Sequence, residues 1–291
     1  MDKNFENKYE QKFGEAISYV MENNVRNLGN LGVETGFTDL DRMTKGFQPS
    51  ALTILAGRPA MGKTSFWLNA VRKMIKDPDM KVGVFLAKEE SEKIANMILA
   101  MDSHVDIRNI ETGRLGKKER ERVEVSAAGI KETNIVITTP LVPYDNLEFQ
   151  YLYYGILKYA QTYKLDIIIV DSLQNIKIDS ECKKDKYIEI VKALRELAIT
   201  CQIPIVLMSN LSEEIDSRRE KRPILEDLRA YGYIEQYADT IILLYRDEYY
   251  NTDTDKKGIA ELNVVKNTCG GHGIVELAWL PEFLTLANFD N

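Results

Sequence analysis

The chain has 291 residues, 44% of them hydrophobic and 29% charged, and a formal net charge of −7. That is enough apolar material for one large domain or two small ones, each with a buried core. The mild acidity excludes a wholly basic nucleic-acid coat but not a local basic groove, because a binding field depends on where charges sit. Cys182, Cys201 and Cys269 are far apart with no C-x-x-C, and His104 and His272 are the two histidines. Both facts argue against a disulfide framework and against a zinc or His-rich metal site. No apolar run approaches the roughly 18 residues of a membrane span. The opening MDKNFENKYEQKF lacks a signal-peptide core, so the expected setting is a reduced cytoplasm without a membrane anchor.

Residues 1–33 read as an arm. Phe13, Ile17, Val20 and Met21 fall at helical spacing, and the breaker-rich Asn27–Gly32 follows, giving a short amphipathic helix on a tether. Its stripe packs either on its own domain or on a neighbouring subunit. Residues 34–291 then alternate. Leu52–Ala56 reads as a buried strand, with a helix from Lys63, and Val82–Leu86 as the next strand. Ile94, Met97, Ile98 and Met101 mark a helix face, 117–130 a charged helix, and Ile135–Ile137 a short strand. Asn146–Tyr163 reads as a long helix in which tyrosines fill core and surface. Asp166–Val170 is an apolar strand suited to the middle of a parallel sheet. A helix over Tyr187–Cys201 and a strand over Ile203–Met208 follow. Thr240–Leu244, Ala260–Val265 and Ile274–Ala278 are consecutive strands, so that edge is expected to be antiparallel. The pattern is an α/β domain with a mostly parallel central sheet flanked by helices.

Gly57-Arg58-Pro59-Ala60-Met61-Gly62-Lys63-Thr64 fits G-x-x-x-x-G-K-[ST] at every fixed position, between a strand and a helix. Glycines let the backbone N–H groups turn toward phosphate oxygens, and the helix N-terminus adds partial positive charge. Lys63 is positioned to reach the β and γ phosphates, and the Thr64 hydroxyl to ligate Mg²⁺. Asp171, at the end of the 166–170 strand, is the second magnesium carboxylate or a strand cap. Lys88, Glu89 and Glu90 follow the 82–86 strand, expected beside the loop strand. There a carboxylate either orients the attacking water or belongs to an acidic first helical turn.

With these residues in place, Thr35–Phe47, Gly57–Thr64, Asp171-Ser-Leu-Gln174, Lys221-Arg-Pro223, Asp227-Leu-Arg229, Ile234-Glu-Gln236, Ala238-Asp239 and Leu244–Tyr250 together resemble the RecA-like motor domain of DnaB-type replicative helicases. The resemblance runs from about residue 13 to 289 and lacks the family's N-terminal helical domain. It implies ATP and Mg²⁺ between subunits of a homo-hexamer, with the arm as the linker helix that docks on the adjacent subunit. It also implies single-stranded DNA in a central channel, with Arg229 and Gly232 in the DNA-contacting loop. Such binding to phosphates is sequence-tolerant. Arg218, Arg219, Lys221 and Arg222 either border that channel or form a solvated face, and Arg229 is otherwise an ion pair with Asp227 or Glu226. The family's loader and primase, or a related helicase, are the implied protein partners.

Three positions depart from the family. Lys88 stands at the catalytic glutamate, so Glu89 takes that role only if the strand end shifts by one residue. Lys266-Asn267-Thr268 places Thr268 at the arginine finger, with Lys266 retained and Arg246 a substitute cation. Asn210 replaces the glutamine that senses the γ-phosphate. An arginine finger is worth about 10³–10⁵ in rate. The expected function is therefore an ATP-driven helicase with compensated departures. The alternatives are an ATP-binding, weakly hydrolysing assembly or regulatory protein of replication, and a related RecA-fold ATPase of recombination or regulation.

Overall fold

A computed structural model describes residues 14, 17, 18, 32–88, 91–139, 147–177 and 182–289. The chain divides into two units, Met1–Leu31 and Gly32–Asn291. In the first, Gly14, Ile17 and Ser18 are helical, and the Ser18 hydroxyl donates to the Gly14 carbonyl. The other stripe positions, Phe13, Val20 and Met21, lie outside the described residues.

In the second unit the elements are α1 (Thr38–Thr44), β1 (Leu52–Ala56), α2 (Lys63–Met74), β2 (Lys81–Leu86), α3 (Ser91–Ser103), α4 (Ile107–Thr112), α5 (Lys117–Lys131) and β3 (Asn134–Thr138). They continue with β4 (Leu147–Glu148), α6 (Phe149–Tyr163), β5 (Ile167–Asp171), β6 (Ile176–Lys177), α7 (Lys183–Cys201) and β7 (Ile205–Ser209). The chain closes with β8 (Thr240–Tyr245), β9 (Ile259–Asn267), β10 (Gly273–Leu280) and β11 (Thr285–Ala287).

Nine strands form one sheet in the order β11-β10-β9-β8-β1-β7-β5-β2-β3. From β8 to β3 every pairing is parallel; β8–β9, β9–β10 and β10–β11 are antiparallel. The chemistry of the strands dictates this. β1, β5, β7 and β8 are buried at every residue, as a strand covered on both faces must be. In β10, exposed Ile274, Glu276 and Leu280 alternate with buried Val275, Leu277 and Trp279, the pattern of a strand wet on one side.

The strand order corrects one expectation. β2 does not lie beside β1; β7 and β5 stand between them. A strand–helix–strand unit requires a crossover but does not require its two strands to pair. β2 instead pairs with β5, in a register that sets Leu86 opposite Asp171.

Side-chain alternation gives the sheet two cores. Leu55, Val84, Ile169, Met208 and Ile242 face α2 and α3, where Phe66, Trp67, Ile94 and Met101 are fully buried. Ile54, Val170, Leu207 and Leu243 face α6 and α7, where Leu152, Ile156, Ile190 and Leu194 are fully buried. Tyr153 and Tyr159 fill the second core while Tyr151 and Tyr154 face outward, so the tyrosines of this helix divide between core and surface. Helical structure begins at Phe149, preceded by the two-residue strand β4. At the opposite edge of the sheet the Asp239 carboxylate accepts from the Leu52 N–H at 2.8 Å and from Arg195 at 2.8 and 3.0 Å, fastening α7 to the start of β1. No helix among the described residues is long and apolar enough to cross a membrane.

Candidate functional site

The loop between β1 and α2 curls through two left-handed residues, Ala60 (φ 63°) and Gly62 (φ 107°), and Gly62 caps α2. Gly57 lies against the next strand: a Cβ there would stand 3.1 Å from the Leu244 carbonyl oxygen. Lys63 Nζ lies over the loop and donates to the Gly57 and Arg58 carbonyls at 2.8 and 3.3 Å. Burial lowers its pKa from 10.5 to about 8; Asp171 opposes that fall and Arg58 adds to it.

Asp171 ends β5, two strands from the loop. Its Oδ2 accepts from Thr64 Oγ1 at 3.0 Å and from Trp67 Nε1 at 2.9 Å. Two donors from the first turns of α2 therefore hold one carboxylate oxygen beside the phosphate loop. Between these strands, β7 delivers Asn210, whose N–H donates to Gln174 Oε1 at 2.9 Å while Gln174 Nε2 donates to Ser209 Oγ at 3.0 Å. Lys63, Thr64, Asp171 and Asn210 thus converge at the C-terminal edge of the parallel strands, where open α/β sheets bind ligands.

Other expected residues are placed differently. Arg58 contributes backbone alone to the cradle: its guanidinium turns outward, to Asp216 Oδ2 at 2.5 Å and to the Leu211 carbonyl at 3.2 Å. A carboxylate and a carbonyl satisfy its planar fork there. Pro59 and Ala60 are exposed on the loop and Met61 is buried beneath it. Lys266 is not brought to the loop of its own chain. Lys266 pairs with Ile241 near the start of β8, while Ala56 at the loop pairs with Leu243, and its Nζ donates to the Glu235 carbonyl at 2.8 Å. Antiparallel β9 carries it to the far edge of the sheet, next to exposed Thr268. Glu89 lies outside the described residues; Lys88 is exposed just past β2. The Ala87 N–H donates to the Asp171 carbonyl at 2.7 Å, so the chain leaving β2 passes the end of β5.

Arg229 and Gly232 belong to a 3₁₀ segment, Leu225–Tyr231, and the residue that closes it. Arg229 is half-exposed, pairs with Glu235 at 3.0 Å and Glu226 at 3.8 Å, and lies over the Tyr233 ring. Asp227 is committed elsewhere: both its oxygens take Arg218 at 2.9 Å, and Oδ2 also caps the Ile224 N–H. Two of the four cations in the preceding basic cluster meet carboxylates, Arg218 at Asp227 being the first. Arg222 forks onto Glu261 at 2.9 and 3.0 Å, leaving Arg219 as its exposed member without a partner among the described residues. That favours an internally paired surface over a bare basic channel wall.

Sequence patterns did not point to Trp67, whose indole N–H is hidden within an apolar helical stripe, or to Gln174. They named Arg246 as a spare cation without indicating its surroundings. A cavity of about 680 Å³ opens beside Ala60, lined by Arg246, Glu248, Tyr249, Lys257 and Trp279. The Arg246 guanidinium lies over the Trp279 ring at 4.6 Å, and its buried Nε, 4.0 Å from Glu248 Oε1, has no hydrogen-bond partner among the described residues. Burial lowers the Arg246 pKa, with Glu248 opposing. A larger cavity, about 1190 Å³, lies between α2, α3 and α5 around Arg72, Asp102, His104 and Arg122, away from Lys63.

A phosphate loop facing a strand-end carboxylate on a mostly parallel sheet defines a RecA-like P-loop domain. The chain belongs to the DnaB-like helicase C terminal domain family, which matches residues 32–288. It is 32% identical over 263 residues to the replicative DNA helicase DnaB of Geobacillus stearothermophilus, covering 89% of this chain and 57% of that protein. It is 35% identical to that of Haemophilus influenzae, covering 90% and 56%. The chain thus spans somewhat over half the length of these curated relatives. Among solved structures it resembles an ATPase domain, with a TM-score of 0.88 at 27% identity, covering 97% of this chain and all of that one. It also resembles a DnaB-like replicative helicase studied with primase, with a TM-score of 0.85 at 27% identity, covering 97% and 68%.

Proposed function

We propose that this chain is the motor of a ring-forming replicative DNA helicase: it binds and hydrolyses ATP at junctions between copies and uses the cycle to move along single-stranded DNA. The observation that carries the reading is the Thr64–Asp171 hydrogen bond at the mouth of the phosphate loop. A hydroxyl and a carboxylate are hard oxygen donors, the chemistry Mg²⁺ takes when it also binds phosphate oxygens. Thr64 and Asp171 would hold that ion, and Mg²⁺, when bound, supplies positive charge to the β and γ phosphate oxygens.

The chain's own residues do the rest. The N–H groups of 60–64 cradle the phosphates, and Lys63 exchanges the loop's carbonyls for phosphate oxygens. Trp67 keeps Asp171 in place. The cavity at Arg246 and Trp279 receives the base, with the flat guanidinium–indole pair as its wall. Glu89, two residues past the bond between Ala87 and Asp171, orients the attacking water, and Asn210 senses the γ-phosphate. Lys266, at the far edge of the sheet, acts on the nucleotide of a neighbouring copy. That placement supports a homo-hexamer in which each site draws on two chains. Arg229 and the Gly232 turn meet DNA phosphates. A loader and primase are the proposed protein partners, in the cytoplasm.

Steady-state ATP turnover by the full chain, with and without single-stranded DNA and beside Lys63→Ala, tests this. DNA-stimulated turnover lost in the variant is the expected result. Wild-type turnover no faster than that of the variant overturns the motor and leaves a nucleotide-binding assembly protein. Arg229→Ala is expected to weaken single-strand binding and to reduce its log–log salt slope by about one; an unchanged slope refutes the DNA assignment.

A further inference from the structure

A loop that only cradles phosphate has no use for a guanidinium turned away from it, yet Arg58 is largely buried in that outward pose. We propose that Arg58 is a positioning residue that, through Asp216, ties occupancy of the phosphate loop to the placement of the 225–232 segment. The inference rests on the reading that this segment meets single-stranded DNA.

Arg58 touches both sides of the connection. Its carbonyl accepts from Lys63 Nζ and from the Met61 N–H, so a lysine drawn to phosphate alters the bonds on residue 58 directly. Its side chain grips Asp216 and the Leu211 carbonyl. Leu211 follows Asn210, which Gln174 holds to the end of β5. From there the path is continuous. The Ser212 N–H donates to the Asp227 carbonyl at 3.1 Å. Arg218, two residues past Asp216, forks onto the Asp227 carboxylate. Arg229 stands two residues beyond Asp227.

Asp216 is held from a third side by Tyr250, whose hydroxyl donates to Oδ1 at 2.7 Å. Arg58 first, and Tyr250 second, keep its carboxyl below the usual carboxylate range. The guanidinium therefore faces a full negative charge, and an arriving polyphosphate is a second anion competing for it. A bidentate pair has two discrete arrangements, made and broken, which is what transmission between sites requires.

The test is the affinity of the full chain for an oligothymidylate, with and without a non-hydrolysable ATP analogue. In the wild type the analogue is expected to change the Kd by a factor on the order of 5–150, the span usual for coupled sites. Asp216→Asn keeps size and removes charge at a half-exposed position. With the competing carboxylate gone it is expected to bind the analogue at least as tightly as the wild type and to bring the ratio close to one. Asp216→Glu should keep the ratio. Tyr250→Phe, which removes a hydroxyl touching both partners but keeps the two opposite charges of the Arg58–Asp216 pair, should also keep it. A full ratio in Asp216→Asn overturns the proposal, as does equal loss in Tyr250→Phe, which would signal general loosening. Wild-type DNA binding indifferent to the analogue also overturns it while leaving the DNA interface intact. A wild type that binds no single-stranded DNA overturns the proposed function itself.

Discussion

Lys63 offers a direct physical test of the proposed nucleotide site. Its pKa of about 8, against an ordinary 10.5, means that holding the ammonium charged in the free site costs on the order of 3 kcal/mol. Polyphosphate oxygens beside Nζ return the pKa toward its ordinary range. Above pH 8 the free site therefore binds fewer protons than the complex, binding takes up close to one proton, and raising the pH opposes it. Between pH 8 and 9.5 the uncharged fraction predicts an affinity loss of about fifteenfold. Phosphate oxygens, with a second pKa of about 6, have finished titrating by then. The assay is the Kd of a fluorescent ATP analogue across that interval at fixed ionic strength and Mg²⁺. Lys63→Arg is the control: a guanidinium does not titrate there, so its profile should be flat even if binding is weaker. A wild-type Kd constant within twofold from pH 8 to 9.5 would refute the reasoning.

Three further outcomes follow from the packing. Trp67→Phe removes the buried donor to Asp171 and should cost about 1–2 kcal/mol; an unmoved urea midpoint would contradict it. Arg222→Ala leaves buried Glu261 with Lys256 as its cation and should cost about 2–4 kcal/mol at pH 7. Burial raises the Glu261 pKa, but Arg222 and Lys256 outweigh it and hold the net value below 4.5. The pair's contribution is therefore full above that range and lost as pH falls through the folded value, so the gap between Arg222→Ala and wild type should narrow in urea melts below pH 4. Gly232→Ala forces a side chain into φ 86° with its Cβ 2.9 Å from Ile188 Cδ1. It should cost about 1–3 kcal/mol, and a melting temperature equal to wild type would show that the turn relaxes freely.

The parts of this protein written in local pattern were readable from the chain. The phosphate loop has fixed spacing. β1, β5, β7 and β8 are predominantly apolar runs, and Asp171 is marked by being the residue where such a run stops. What pairing decides was not readable. Nothing in Val82–Leu86 says that its neighbour is β5 rather than β1, because parallel partners are chosen by crossovers and by the fit of distant helices. The 3₁₀ segments at 213–217 and 225–231 are too short to show a period, so the surroundings of Arg229 emerged only from the fold. Arg58 and Trp67 are legible as residues but not as directions. Whether a long side chain turns toward a ligand or away from it depends on a carboxylate 158 positions later in the chain.

The chain contains two tryptophans, and the fold places both beside the proposed nucleotide site. Trp67 is sealed in the core with its indole hydrogen-bonded to Asp171, and Trp279 walls the cavity beside Ala60 under the Arg246 guanidinium. Emission excited at the red edge of the indole band, where tyrosine does not absorb, therefore originates where the chemistry is proposed to happen. A shielded indole emits toward the blue, and one partly open and under a cation is the more easily quenched. Filling the cavity or drawing Asp171 toward a metal ion would change one emitter or the other without any label. Replacing each in turn by phenylalanine would leave a single-colour reporter, one for the base and one for the metal.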